Sequence, residues 1–363
     1  MSYGGPNERE MRRMFLEGEL SLIQSMAAGA ASRLAFDDVI AEVGQRRTAL
    51  EGLGEQVARA RARGYVWGGN LEAELARLRA GAANAVETAR QQSLRSAQAL
   101  RGRVDALQRE ARRLSGGAVL KNERAIETVA NEARAVDAAI DAAGRAARES
   151  VGTFVKGADA IVAQVAAIHG VLDQFEAASF RLQPEENPLW AVKATWEDSP
   201  QGEVEGMLFL TAHRLRFEAQ EEVVLERSLL FFASRTEVRR RLALDVLIGQ
   251  IAASEDTRRG LLLKDELLVL SLRAPNAPAR ATFEIAEGEA KHIDNVIEQV
   301  RSGDLERARY RGPMPEGSRV GVPVRWVERC ENCGAGMQPP VRGQTFTTCE
   351  YCGRKYDVVL GEG

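Results

Sequence analysis

"RLQPEENPLW", Arg181 to Trp190, divides the chain into two kinds of text. Its prolines, Pro184 and Pro188, flank an acidic pair. Proline removes a backbone donor and disfavours helix in the residue before it, so helical text ends here. Upstream, from about Glu8 to Leu182, proline is absent, alanine is abundant, and Glu and Arg alternate at surface positions, the composition of extended helices. Downstream, from Trp190, the pattern changes to short β-type runs separated by turn residues. The expected fold class is therefore multidomain α+β, with an α-helical coiled coil or bundle first and a β-rich domain after it.

Within the helical half, Ala97, Leu100, Val104, Leu107, Ala111 and Leu114 recur at alternating spacings of three and four, the seam of a coiled coil or antiparallel bundle. A stronger seam runs through Ile126, Val129, Ala133, Val136, Ile140, Ala143 and Ala147. After a one-residue slip it continues through Val151, Phe154, Ala158, Ile161, Val165, Ile168, Leu172 and Phe175. "SGG", Ser115 to Gly117, breaks the text between the seams and predicts a hairpin. Alanine seams bury little area each, so a larger bundle or self-association has to supply the rest, and a homo-oligomer is expected. "RGYVWGGN", Arg63 to Asn70, predicts a turn in which Tyr65 and Trp67 plug the bundle end, with ligand contact as the other reading. Met11, Met14, Phe15, Leu16, Leu20, Ile23 and Met26 share one apolar face; Glu17 and Glu19 favour bundle packing for it over a membrane surface.

The 363 residues exceed one ordinary core, and the formal charge of −3 provides no global pull toward nucleic acid or anionic membrane. "MSYGGPNEREMRRMF" lacks the pattern of a secretory signal, and no run of about 18 apolar residues escapes a charge. A soluble or at most peripheral cytoplasmic protein is expected.

In the second half the strand candidates are "LWAVKATW", "VEGMLFLTA", "HRLRFEA", "SLLFFASR", "RRLALDVLIGQIAAS", "GLLLKDELLVLSL" and "ARATFEIA". "EGEAKHIDNVIEQV" closes the segment with Ile293, Val296, Ile297 and Val300 on one helical face. This order, above all "EGMLFLTAHRLRFE" followed by "LALDVLIGQIAAS" and a final amphipathic helix, resembles the pleckstrin-homology (PH) superfold, nearest its GRAM-type members, over about Asn187 to Ser302. The resemblance implies a small seven-stranded β-barrel plugged by a C-terminal helix and used to bind phosphoinositides, peptides or proteins. Lipid-binding members gather lysine and arginine around the first hairpin. Here that loop, "TWEDSPQGEVEG", carries Glu197, Asp198, Glu203 and Glu205, with Lys193 upstream and Arg214 and Arg216 on the next strand. "SRTEVRRR", with Arg235, Arg239, Arg240 and Arg241, is the remaining basic stretch, and reads as a charged strand edge.

All four cysteines fall in "CENCG" and "CEYCG". Cys330, Cys333, Cys349 and Cys352 have the spacing of a structural Zn2+ site, with Gly334 and Gly353 suiting the tight turn after each pair. The stretch from Trp326 to Leu360 resembles a zinc ribbon. One Zn2+ held by four thiolates has no open position, so its role is structural. Two disulfides or a redox dithiol are the other readings. Phe346, Tyr356 and Val358 are expected to pack the short strands. Arg342, Arg354, Lys355, Tyr351 and Phe346 could meet nucleic acid, although Glu328, Glu331, Glu350 and Asp357 nearly cancel the charge.

His169, His213 and His292 lie in no nucleophile or metal motif, and no P-loop, G-x-S-x-G or dinucleotide fingerprint occurs. The domains read as 1–184 α-helical coiled coil, 185–303 PH-like domain, 304–325 linker and 326–360 zinc ribbon. The expected function is a non-catalytic cytoplasmic scaffold or adaptor, no enzyme, that self-associates and docks a protein or membrane partner through the PH-like domain. The alternative is a nucleic-acid-binding regulator using the ribbon and the arginine-rich linker.

Overall fold

The computed structural model describes residues 7–116, 119–183, 186–226, 235–259, 265–286, 288–315, 318, 324–325, 327, 329–337, 346–357 and 359–360. The chain forms two compact units, one of Met1–Gly54 with Ala73–Ala163, the other of Glu55–Glu72 with Gln164–Gly363.

Four helices carry the first half: α1 (Glu8–Arg33), α2 (Asp37–Ala62), α3 (Leu71–Ser115) and α4 (Glu123–Ala177). Asn7 starts α1 with a full capping box, its side chain on the Glu10 amide and Glu10 on its own amide. In the first unit, α1 and then α2 run in the same direction along α4. Ion pairs mark this register: Arg12 with Glu123 and Glu127, Arg134 with Glu19, Arg33 with Asp137 and Asp141, and Arg46 with Asp159 at 3.0 Å. Helix α3 returns antiparallel, joined to α4 by Arg103–Glu132 and to α2 by Arg79, which donates to Leu50 O. Both predicted seams turn inward: Val104, Leu107, Ala111 and Leu114 share a core with Ile126, Val129, Ala133, Val136, Ile140, Ala147 and Val151. Leu16, Ile23, Ala27 and Ala30 from α1 and Val39 and Val43 from α2 complete it. The burial that the seams require is thus met within one chain.

The predicted apolar face of α1 divides. Leu16 and Ile23 are buried and Leu20 and Met26 pack beside them, but Met11, Met14 and Phe15 are exposed. By length and composition Val119–Ala177 could cross a membrane, its most apolar 18-residue window having a mean hydropathy of 1.4; along it Val151, Ala158, Ile161, Val165 and Ile168 are buried in the protein.

In the second unit, β1 (Pro188–Trp196), β2 (Val204–Thr211), β3 (Arg214–Glu226), β4 (Arg235–Leu247), β5 (Ile251–Arg259), β6 (Asp265–Leu272) and β7 (Arg280–Ile285) form one antiparallel seven-stranded sheet in the order β4-β3-β2-β1-β7-β6-β5. "RRLALDVLIGQIAAS" is two strands, and not one. A short 3-10 turn, Ile248–Gln250, separates β4 from β5, fixed where the Ile248 amide donates to His213 O and Gln250 accepts from the Leu247 amide. Residues 228–234 of "SLLFFASR" and 260–264 of "GLLLKDELLVLSL" lie outside the described residues. Helix α5 (Glu289–Ser302) lays Ala290, Ile293, Val296 and Ile297 into the sheet's core, around Trp196, Phe217 and Phe283, whose ring centroids are 5.3–5.7 Å apart. The seven antiparallel strands and the closing helix are among the features that the PH resemblance implied.

The "RGYVWGGN" loop enters this same core, and does not plug a bundle end. Val66 and Trp67 are buried among Leu189, Leu215, Val246 and Ile248, and Trp67 Nε1 donates to Pro188 O at 2.8 Å. Gly64, with φ of 92°, ends α2, and the buried Arg61 guanidinium then gathers the loop by donating to Tyr65 O, Trp67 O, Gly68 O and the Glu72 carboxylate. The chain after α5 is tied to this loop: the Gly69 amide donates to Ala308 O and the Tyr310 amide to Val66 O. A side chain at Gly69 would stand 2.9 Å from Arg309 O, which is why only glycine fits there.

Candidate metal centre

Two turns of the same design present the four thiols. In the first, the Cys330 amide donates to Ala335 O and the Gly334 amide to Cys330 O; in the second, Cys349 donates to Arg354 O and Gly353 to Cys349 O. Gly334 and Gly353 have φ of 72° and 70°, a left-handed turn that glycine adopts without strain. Two short strands, Phe346–Thr348 and Lys355–Asp357, pair antiparallel beside the second turn.

The four sulfurs lie within 4.8 Å of one another, with Cys330–Cys352 at 3.5 Å and Cys333–Cys349 at 3.6 Å. A disulfide needs about 2.05 Å, so these are free thiols. Four thiolates around a tetrahedral zinc at about 2.3 Å would stand roughly 3.8 Å apart, which these separations match. The residues therefore fit a metal. Cys330 and Cys349 are buried, and Cys333 and Cys352 exposed.

Tyr356 does more than pack the strands. Its oxygen accepts from the Glu331 amide at 2.8 Å, which leaves the hydroxyl proton for Cys330 Sγ at 3.1 Å. That bond outweighs burial and brings the Cys330 thiol down to about 6. Burial, with the same bond, pushes the Tyr356 hydroxyl up. At Cys333 the Ala335 amide favours the thiolate, but hydrogen bonding to the other sulfurs and burial prevail and push it up to about 12. Crowded thiolates are costly without a cation, and a divalent metal removes that cost.

The other predicted residues are dispersed. Glu197 pairs with Arg259, and Asp198 accepts from the Thr282 amide and hydroxyl at 2.7 and 2.8 Å and from Trp196 Nε1 at 2.9 Å. Arg214 pairs with Asp245, and Arg216 is buried against Glu186 at 2.9 Å. Lys193 is exposed. On β4, Arg240 donates to Ala177 O, capping the end of α4, and Arg241 donates to Gln201. His169 bridges Arg63 and Gln56 O, His292 stacks on Trp190 at 4.2 Å, and the amide of His213 bonds Thr211 in the turn between β2 and β3. Tyr351 is 80% exposed, and Arg354 lies over the Tyr356 ring. Trp326, Glu328, Arg342 and Val358, and the side chains of Arg235 and Phe346, lie outside the description.

No family model matches the chain, and no curated protein does. Among solved structures it is similar to the DH/PH domains of PDZ-RhoGEF in complex with GTP-γ-S-activated RhoA: 12% identity, 82% of this chain and 96% of that one, TM-score 0.25. The DH/PH domains of p115-RhoGEF give 10% identity over 82% and 95%, at 0.23. A PDZ-RhoGEF DH/PH fragment in complex with human RhoA gives 13% over 82% and 95%, at 0.24. The expectation that the chain is no enzyme is corrected here, because its structural neighbours belong to guanine nucleotide exchange factors, which are catalytic. At these identities and TM-scores the likeness assigns the chain neither substrate nor partner.

Proposed function

We propose that the chain is a cytoplasmic adaptor that docks a protein partner through its PH-like domain of GRAM type, with residues 326–360 a zinc ribbon holding one structural Zn2+ on Cys330, Cys333, Cys349 and Cys352. The observation that carries the docking reading is the β1–β2 loop. Where lipid-binding barrels of this kind collect cations, this loop presents acidic residues, of which Glu197 is paired with Arg259 and Asp198 accepts from Thr282 and Trp196. Carboxylates repel a phosphorylated headgroup at that end and leave a protein surface as the favoured ligand class. Four unbonded thiols at metal-ligand separations support the zinc and a reducing compartment.

The test is cross-linking of the zinc-loaded full-length chain in its host, followed by mapping of the linked peptides. Partner peptides on residues 185–303 are the expected result. Binding to phosphoinositide vesicles in place of a protein would make the barrel a membrane module. Salt-sensitive binding of DNA or RNA, lost on truncation after Met314, would favour the nucleic-acid regulator. Truncation must fall there because Ala308 and Tyr310 bond the Trp67 loop.

A further inference from the structure

Many arginines of the first unit are held by a carboxylate on a neighbouring helix, as Arg12, Arg33, Arg46, Arg103, Arg134 and Arg148 are. Four arginines of α3 are not. Arg95, Arg101, Arg109 and Arg112 are exposed and have no hydrogen-bond or ion-pair partner among the described residues. At 100° per residue they fall within an arc of about 120°, on the side of α3 opposite the buried Val104, Leu107, Ala111 and Leu114. Between Arg95 and Arg113 the acidic residues are Asp105 and Glu110, and Glu110 is taken by Arg113 at 2.8 Å. Each free guanidinium offers five donors in a planar fork, the geometry that matches a phosphate.

We propose that this face of α3 binds double-stranded DNA through its phosphates, without reading sequence. Arg95 with Arg101 makes one group and Arg109 with Arg112 a second. The rise from Arg101 to Arg109 is about 12 Å, the width of the major groove, so the two groups reach the backbones on its two sides. Asp105 falls midway, over the open groove and away from both rows of phosphate. Single strands are disfavoured, because α3 has no Phe, Tyr or Trp on which a base could stack. Duplex RNA is disfavoured by its narrow major groove. A membrane is disfavoured too: Leu94, 55% exposed, is the one large apolar side chain that α3 displays among the described residues. The same lack of an apolar centre distinguishes the face from a protein interface. With a net charge of −3 the chain has no long-range pull on DNA, so binding depends on these contacts and weakens steeply with salt. The face lies in the first unit, apart from the PH-like domain of the adaptor reading and from the ribbon and linker of the nucleic-acid alternative, so it stands or falls independently of both.

Fluorescence anisotropy of labelled DNA duplexes of about 20 base pairs, titrated with the zinc-loaded full-length chain, tests it. Duplexes of unrelated sequence should bind equally. Four phosphate contacts correspond to a log–log salt slope of about −3.6, so Kd should rise roughly 150-fold from about 50 to 200 mM salt. Arg101→Gln combined with Arg109→Gln should bring the slope to about −1.8 and weaken low-salt binding at least about tenfold, with helical circular dichroism unchanged. Arg145→Gln on α4, which removes an equally exposed and unpartnered charge, should leave binding as it is. Absence of binding at low salt, indifference to the paired α3 substitutions, loss of binding in Cys349→Ser, or tighter binding to single strands, duplex RNA or phosphatidylserine vesicles would each overturn the proposal.

Discussion

Along α4 the residues from Ile126 to Val151 include Val129, Ala133, Val136, Ile140 and Ala147, all buried, each adding a small area to a core shared by four helices. Around the four cysteines the described core is Cys330, Cys349 and Tyr356, with Val327, Ala335 and Met337 partly buried against them. The first region distributes its stability over many side chains, so no single one decides whether it folds. The second, on the proposed reading, concentrates it on a metal held by four sulfur atoms, because its described core offers little apolar area.

This contrast can be broken, beginning with the largest effect. Cys349→Ser should release the zinc and unfold the ribbon, where metal binding is worth roughly 10–16 kcal/mol in small zinc peptides. Helical circular dichroism should barely change, and one zinc per chain retained in metal analysis would refute the ligand set. Acidification should have the same outcome, since protons compete with the metal for thiolates as pH falls, and restoring pH with zinc should reverse it. Trp67→Ala comes next, at about 3–5 kcal/mol. Its calorimetric signature should be a lower melting temperature for the barrel, although the residue lies between two helices. Ile140→Val should cost only about 0.5–1.5 kcal/mol in urea unfolding, the small decrement of a distributed core. Asn7→Ala should cost about 0.5–2 kcal/mol of α1 stability, read as faster amide exchange in its first turn.

How much of this could be read beforehand depends on how far apart the deciding residues are. The seams at Val104–Leu114 and Ile126–Val151 are local patterns, and helical geometry turns them into a buried face. The four cysteines were legible for the same reason, since their spacing alone encodes two matched turns. Trp67 was not: its neighbours Pro188, Leu189 and Val246 lie more than a hundred residues away, and nearby text showed only an aromatic turn. For α1 the apolar arc was wider than one face, and only the positions of α3 and α4 decide that Leu16 is covered and Phe15 is not. The break between β4 and β5 is set by a bond from Ile248 to His213 across the sheet, within an apolar run that reads as continuous. Tyr356 reads in the sequence as a packing residue, and its hydrogen bond to Cys330 arises only where the two turns meet.

The Trp67 loop also sets a timetable. Translation proceeds at about 5–20 residues per second, and Tyr310, whose amide closes on Val66 O, follows Trp67 by about 240 residues. The strand partners of Val66 and Trp67 end at Ile248, about 180 residues after Trp67, so for roughly 9–36 s the two side chains are on a nascent chain whose matching strands are incomplete. During that interval two large apolar side chains wait for their partners, and a holdase or a pause in elongation would act on this loop before any other part of the barrel.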